Sequence, residues 1–314
     1  NNITKENCKD VEIIGWLYQY YVSERQAEID DELDNITGRK VEENEIPAKT
    51  QLFTPKWIVK YMVDNSLGRL WMLNHPESNL KNKMKFYIEP EEEEEYPIIG
   101  SPEEIRFCDP ACGSGHILTY AFDVLFYIYE EQGYQKKDII KCIFEKNLKG
   151  FEIDERAAEL AQFALLMKAK ERYPRIFAKR YKPDIVVFEN IELSTGDIDL
   201  FENTTGLIFD KNFKELIEEM GHAKSFGSLI DPADMDIVTL KSKIADAKTD
   251  LHTSWMKESL LLICEYLEQL QMKFEVVVTN PPYLGKFAPE LVDFMKKHYK
   301  DYKKDLFSAF IVKN

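Results

Sequence analysis

From Ile105 onward, short apolar runs alternate with long helix-periodic segments, and this alternation limits the chain to very few architectures. Ile105 to Cys108, Leu148 to Ile153, Pro183 to Phe188 and Phe274 to Thr279 read as strands. The last carries three consecutive valines, Val276 to Val278, which suits a strand buried on both faces. Between the first two strands, Ile117, Leu118, Phe122, Leu125, Phe126 and Tyr129 recur at helical spacing, and a second helix is expected over about residues 136–146. An Ala- and Leu-rich helix follows from Arg156 to Arg172. Strand-helix alternation of this sort predicts an α/β fold with a doubly wound, mostly parallel sheet.

Two further parts complete the expected organisation. Residues 1–50 read as an N-terminal helical segment and a linker, with Ile13, Ile14, Leu17, Tyr18, Tyr21 and Val22 as its apolar stripe. Residues 51–200 form the first part of the core, 201–271 a largely helical insertion, and 272–314 a continuation expected to run past the last residue. Thr54-Pro55 is a helix start, with Thr as the expected cap and Pro at the first helical position. Residues 74–104, with the acidic run Glu91 to Glu95, read as irregular connector.

Chemistry gathers at the strand ends, where ligands bind in open α/β sheets. Asp109-Pro110-Ala111-Cys112-Gly113-Ser114-Gly115 follows the first strand and opens a helix. Glycine there lets the backbone approach a ligand closely, and an acid at the strand end accepts a hydrogen bond from an ammonium or hydroxyl group. Any strand-turn-helix also needs glycines, so the motif alone is weak. A dinucleotide site fits poorly, because its third glycine position is Leu118 and its ribose-binding acid should lie about 20 residues on, well short of Glu152. Gly150-Phe151-Glu152-Ile153-Asp154 places an acid where it can take both ribose hydroxyls of a nucleoside; the plainer reading is a charged strand end facing water. Asn280-Pro281-Pro282-Tyr283 follows the valine-rich strand. Its prolines stiffen the turn and remove N–H donors. Asn280 and the Pro281 carbonyl can accept from an exocyclic amino group while Tyr283 stacks on a planar base; the plainer reading is a Pro-rich turn with an aromatic staple.

These three segments resemble motifs I, II and IV of amino-group DNA methyltransferases. Phe53-Thr54-Pro55 resembles motif X, and the order X, I, IV is similar to the gamma class of N6-adenine enzymes. Phe188-Glu189-Asn190 falls at motif III, and Asp305 to Ile311 resembles the start of motif V. Glu12 to Val22 and Gln51 to Gly68 are similar to the PglX family of BREX phage-defence systems. The resemblance implies a site-specific, adenine-specific DNA methyltransferase. It implies catalytic roles for Asn280, Pro281, Pro282 and Tyr283. It implies S-adenosyl-L-methionine as cofactor, held by Phe53, Thr54, Asp109, Pro110, Ala111, Gly113, Gly115, Glu152, Ile153, Glu189, Asn190 and Asn280, and no metal. The implied partners are double-stranded DNA with a flipped adenine and other defence-system proteins. A protein glutamine N5-methyltransferase, which shares the Asn-Pro-Pro-Tyr turn, and a catalytically silent S-adenosylmethionine-binding subunit stand as alternatives.

The net charge of −15 opposes simple nucleic-acid binding, since a phosphate-neutralising domain should carry a basic surface. Lys286, Lys296, Lys297, Lys300, Lys303 and Lys304 form the one late basic segment. The cysteines, Cys8, Cys108, Cys112, Cys142 and Cys264, are odd in number and show no metal-ligand spacing, which predicts a reduced, cytoplasmic chain. No apolar stretch is long enough for a bilayer, so no membrane partner is expected.

Overall fold

The computed structural model describes residues 13–36, 39–42, 45–50, 54–91, 95–233, 235–283, 288–302 and 304–313. Among these, β1 (Phe107–Asp109), β2 (Leu148–Glu152), β3 (Ile185–Val187) and β4 (Val276–Val277) form one sheet in the order β3-β2-β1-β4. Every pairing is parallel: Asp109 lies opposite Gly150, Glu152 opposite Val187, and Cys108 opposite Val277. The chain winds outward from β1 to β3, then returns to the other side of β1 for β4. The strand order therefore reverses between β1 and β4, and a crevice opens at their carboxyl ends.

Strand alternation sends successive side chains to opposite faces. Phe107, Leu148, Ile185, Val276 and Val278 share one apolar cluster, and Cys108, Phe151, Val186 and Val277 belong to the other. At the N-terminus, α1 (Ile13–Asn35) and the short α2 (Ile46–Thr50) precede the sheet. The first face is covered by α3 (Lys56–Val63), α4 (Arg69–Asn74), α5 (His116–Glu131), α6 (Lys136–Cys142) and α7 (Glu155–Arg172). A π-helical turn at Asp64–Gly68 joins α3 to α4. The second face is covered by α8 (Thr195–Thr205), α9 (Lys211–Met220), α10 (Ala223–Phe226), α11 (Ile237–Asp246), α12 (Ser254–Leu270), α13 (Pro289–His298) and α14 (Leu306–Lys313).

Two sequence expectations change here, and a third segment takes on a packing role. Residues 201–271, expected as an insertion, supply much of the helical layer that buries the second face. The Tyr266 hydroxyl of α12 donates to the Val187 carbonyl at 3.0 Å, and its ring meets Phe188 edge-on at 5.4 Å. A parallel sheet needs both faces covered, and the helices of this segment cover one of them. Next, α1 runs on to Asn35 and packs through Gly15, Val22 and Ile29, while Leu17 and Tyr21 of the expected stripe are exposed. Apolar residues surround the first turns of α1, so spacing alone did not select the face. Close approach did: a Cβ on Gly15 would lie 2.9 Å from the Ser114 hydroxyl. Lastly, Thr54 does not cap α3. Pro55 is the capping residue, with φ −54° and ψ 138°, and its carbonyl accepts from Ile58 N–H at 2.9 Å. Thr54 thus sits one residue too early, and its hydroxyl is committed elsewhere.

Residues 74–104 are largely irregular apart from single 3-10 turns at Asn79–Lys83 and Pro102–Glu104, yet Leu80, Met84 and Ile99 are buried and dock this connector on the first face. Part of the acidic run, residues 92–94, lies outside the described residues. No helix among the described residues is long and apolar enough to cross a membrane.

Gly115, in the left-handed region at φ 81°, sets the spacing of α5 and α7, because a Cβ there would meet Ala161 Cβ at 2.7 Å. Gly115→Ala adds left-handed strain to overpacking and is expected to destabilise by about 2–4 kcal/mol. Urea denaturation measures this, and a loss under about 0.5 kcal/mol would contradict the packing role.

Candidate functional site

The carboxyl ends of the strands converge on a cleft walled by Asp109 at the end of β1, Glu152 at the end of β2, Phe188 after β3 and Asn280 after β4. Pro110, Ala111, Cys112 and Gly113 form its floor, and Gly113 adopts φ 51°, which favours glycine. Cys112 N–H donates to the Phe151 carbonyl at 3.0 Å, tying this loop to β2. Both Glu152 oxygens are engaged by backbone: Oε2 accepts from Gly113 N–H at 2.6 Å, and Oε1 from Ile153 N–H at 2.9 Å and Asp154 N–H at 3.0 Å. Oε1 thus has both lone pairs engaged, while Oε2 keeps lone-pair capacity for a ligand hydroxyl. Asp109 Oδ1 accepts from Ala111 N–H at 3.2 Å.

Other walls come from segments whose role was not legible in sequence. Ser225, Phe226, Gly227, Ser228 and Leu229 close one side. Ser228 donates to the Pro110 carbonyl at 2.6 Å, and Gly227, at φ 53°, passes so near Ile153 that a Cβ would lie 3.0 Å from its Cγ2. On another side α1 contributes Gly15, Tyr18 and Gln19, and the Tyr18 hydroxyl donates to Asp154 Oδ2. Isolated Ser, Gly and Tyr residues far from the strand-end motifs carry no local signal, so only tertiary structure brings them in.

A second cleft adjoins the first. Ile58, Met62, Pro281, Tyr283 and Phe307 line it, and Thr54, Asn280 and Phe310 line both clefts. The half-exposed Tyr283 ring stacks on Phe307 with centroids 5.9 Å apart. Asn280 Nδ2 donates to the buried Thr54 hydroxyl at 3.1 Å. Pro282 faces the first cleft.

The expected residues do not all meet here. Gly115 packs α5 on α7 rather than lining the cleft. Glu189 pairs with Lys224 Nζ at 2.6 Å and Asn190 Oδ1 accepts from Lys224 N–H at 2.8 Å, so both tie the loop after β3 to α10 while Phe188 faces the cleft. Phe53 lies outside the described residues. Lys297 pairs with Glu215 and Glu219, each at 2.9 Å, and Lys296 with Asp293 at 2.8 Å; Lys286 and Lys303 lie outside the described residues.

Comparison with known families finds methylase relatives for this chain. The model of the Eco57I restriction-modification methylases matches residues 146–314, more than half the chain. The chain belongs to the Eco57I restriction-modification methylase family. The DNA-methyltransferase domain of MmeI matches residues 98–183, which include Asp109 to Gly115 and Glu152. The chain is 37% identical to the adenine-specific methyltransferase BrxX of Escherichia coli O9:H4 (strain HS), over 99% of this chain and 28% of that protein. It is 34% identical to the adenine-specific methyltransferase PglX of Lacticaseibacillus casei (strain Zhang), over 96% of this chain and 26% of that protein. The chain thus spans about a quarter of the length of these curated relatives.

An Eco57I-type methylase needs a methyl donor, and the first cleft has the chemistry for one. Burial pushes the Asp109 carboxyl up to about 7, with the neighbouring Glu152 charge adding to the rise. Burial likewise pushes Glu152 up to about 7, against the pull of its backbone N–H partners. Two desolvated carboxyls beside exposed backbone suit a ligand bearing positive charge and vicinal hydroxyls. Burial also raises the Cys108 and Cys112 thiols well above their ordinary range, so neither offers a thiolate.

In the ligand-free protein these carboxyls bind more protons folded than unfolded between about pH 4 and pH 7, so their contribution to stability falls as pH rises through that window. Asp109→Asn removes one such group. Thermal melts should therefore show the variant's Tm, relative to wild type, higher at pH 8 than at pH 5. An unchanged or reversed difference would contradict the burial assignment.

Proposed function

We propose that this chain is the catalytic core of a site-specific DNA methyltransferase that transfers a methyl group from S-adenosyl-L-methionine to N6 of adenine. The observation that carries this reading is the meeting of the two clefts at Asn280. One has a buried carboxylate placed for a nucleoside ribose; the other has polar acceptors and an aromatic face suited to a planar base. The names of the relatives, adenine-specific methyltransferases both, support the same reading.

Glu152 would hold the ribose hydroxyls, Asp109 the cationic amino-acid end, Gly113 would let backbone lie against the donor, and Phe188 would flank its base. When bound, S-adenosylmethionine supplies an electrophilic methyl group on a sulfonium. Adenine N6 is a poor nucleophile because its lone pair is delocalised into the ring. Asn280 Oδ1 and the Pro281 carbonyl accept its two N–H bonds, draw the nitrogen towards tetrahedral geometry and stabilise the positive charge that develops there. Tyr283 stacks on the base and holds N6 in line, which supplies proximity. The base must leave the duplex to reach this depth. This chemistry needs no cysteine nucleophile. The net charge of −15 and the ion pairs of Lys297 oppose strong phosphate binding by this chain itself.

In the intact methyltransferase, Asn280→Ala is expected to lower kcat by about 10²–10³-fold with little change in donor affinity. Tyr283→Phe should keep most activity, whereas Tyr283→Ala should lose stacking worth about 1–3 kcal/mol. A folded, donor-binding Asn280→Ala enzyme with near-wild-type transfer would overturn the proposal.

A further inference from the structure

We infer that Thr54 is a positioning residue: its buried hydroxyl fixes which way the Asn280 amide faces, and so presents Asn280 Oδ1 to the exocyclic amino group of the target base. The inference rests on the N6-adenine reading above and goes beyond it, since it assigns Thr54 to the acceptor side of the site.

The Asn280 side chain ends in a primary amide. Its two ends are alike in shape and opposite in hydrogen bonding, one an acceptor and the other a double donor. The terminal torsion of an Asn side chain is broad and roughly two-fold. An amide turned the wrong way would offer N–H to the N–H of the target base, which repels where the mechanism needs attraction. Proline at the next two positions leaves few backbone groups nearby to enforce one orientation. The partner instead comes from 226 residues earlier in the chain. Asn280 Nδ2 donates to Thr54 Oγ1 at 3.1 Å, and Thr54 is only 8% exposed, so water competes poorly for that contact. With Nδ2 held at Thr54, Oδ1 points away from Thr54.

The placement explains why Thr54 does not cap α3. Pro55 sets the start of α3 and takes the first-turn N–H, which leaves the Thr54 side chain to reach the turn after β4. Accepting from Asn280 uses an oxygen lone pair, so the Thr54 proton stays available to a neighbouring acceptor. Thr54 and Asn280 both line the two clefts, so this pair stands where donor and base meet.

The test is single-turnover and steady-state transfer by the intact methyltransferase at saturating S-adenosylmethionine and duplex DNA, so that lost donor affinity falls in KM rather than kcat. Thr54→Val and Thr54→Ala remove the hydroxyl in two different shapes, Thr54→Ser keeps it, and melting curves confirm that each variant is folded. Thr54→Val and Thr54→Ala should lower kcat about tenfold or more, while Thr54→Ser stays within about threefold of wild type. Hydroxyl-free variants within about twofold of wild type, alongside an inactive Asn280→Ala, would overturn the inference and leave the adenine reading standing. Equal losses in all three Thr54 variants would also overturn it, because shape rather than the hydroxyl would then matter. Full activity in Asn280→Ala would instead remove the reading on which the inference rests.

Discussion

Parallel pairing of β1 with β2 on one side and β4 on the other is the constraint on which the rest depends. Parallel strands require long crossovers, so helical layers must pass over each face and every strand must end at the same edge. Here the strands are two to five residues long, too short to hold a sheet by pairing alone. Burial on both faces, by clusters that share alternate residues of the same strands, stabilises it instead. The reversal of strand order beside β1 then leaves Asp109 and Asn280 on adjacent loops of one edge.

That edge is costly to keep. Asp109 is 1% exposed and Glu152 is 7% exposed, and both carboxyls are pushed up to about 7 because their charged forms are poorly solvated. A purely structural core would place apolar residues there. Backbone N–H groups of the Gly113 and Ile153 loops offset part of the penalty at Glu152, and a cationic ligand would offset more. Rigid loops serve the same end: Ser228 ties Pro110, Cys112 ties Phe151, and Thr54 ties Asn280. On the proposed reading these contacts would hold the acceptors in place before a ligand arrives, and preorganisation of this kind is a large source of rate enhancement.

The strand ends were legible in sequence because their chemistry is local. Asp109 with Gly113, Glu152 after Phe151, and Asn280 before two prolines are runs whose residue types suit a ligand-facing turn, and each also has a plainer structural reading. The alternation around them was equally local and identified the parallel sheet. What escaped was set by tertiary packing. The 223–229 wall looks like an ordinary Gly-Ser loop until Ser228 is seen at Pro110. The contact face of α1 is chosen by Gly15, the residue with least to announce itself. Glu189 and Asn190 were expected as cofactor ligands by position, and their contacts to Lys224, with Phe188 lining the cleft beside them, are set by tertiary packing that position alone does not reveal. Thr54 was visible as a helix-start residue, yet Pro55 took that role and freed it for a partner that no local pattern could indicate.

The central claim is that donor and adenine meet across Asn280. The most direct measurement incubates the intact protein with S-adenosylmethionine carrying an isotopically labelled methyl group and with duplex DNA, then digests the DNA to nucleosides and identifies the labelled species by mass spectrometry. The account predicts label on N6-methyl-2′-deoxyadenosine. Label on a methylated cytosine, or on a protein glutamine supplied in the same reaction with the DNA unlabelled, would contradict it.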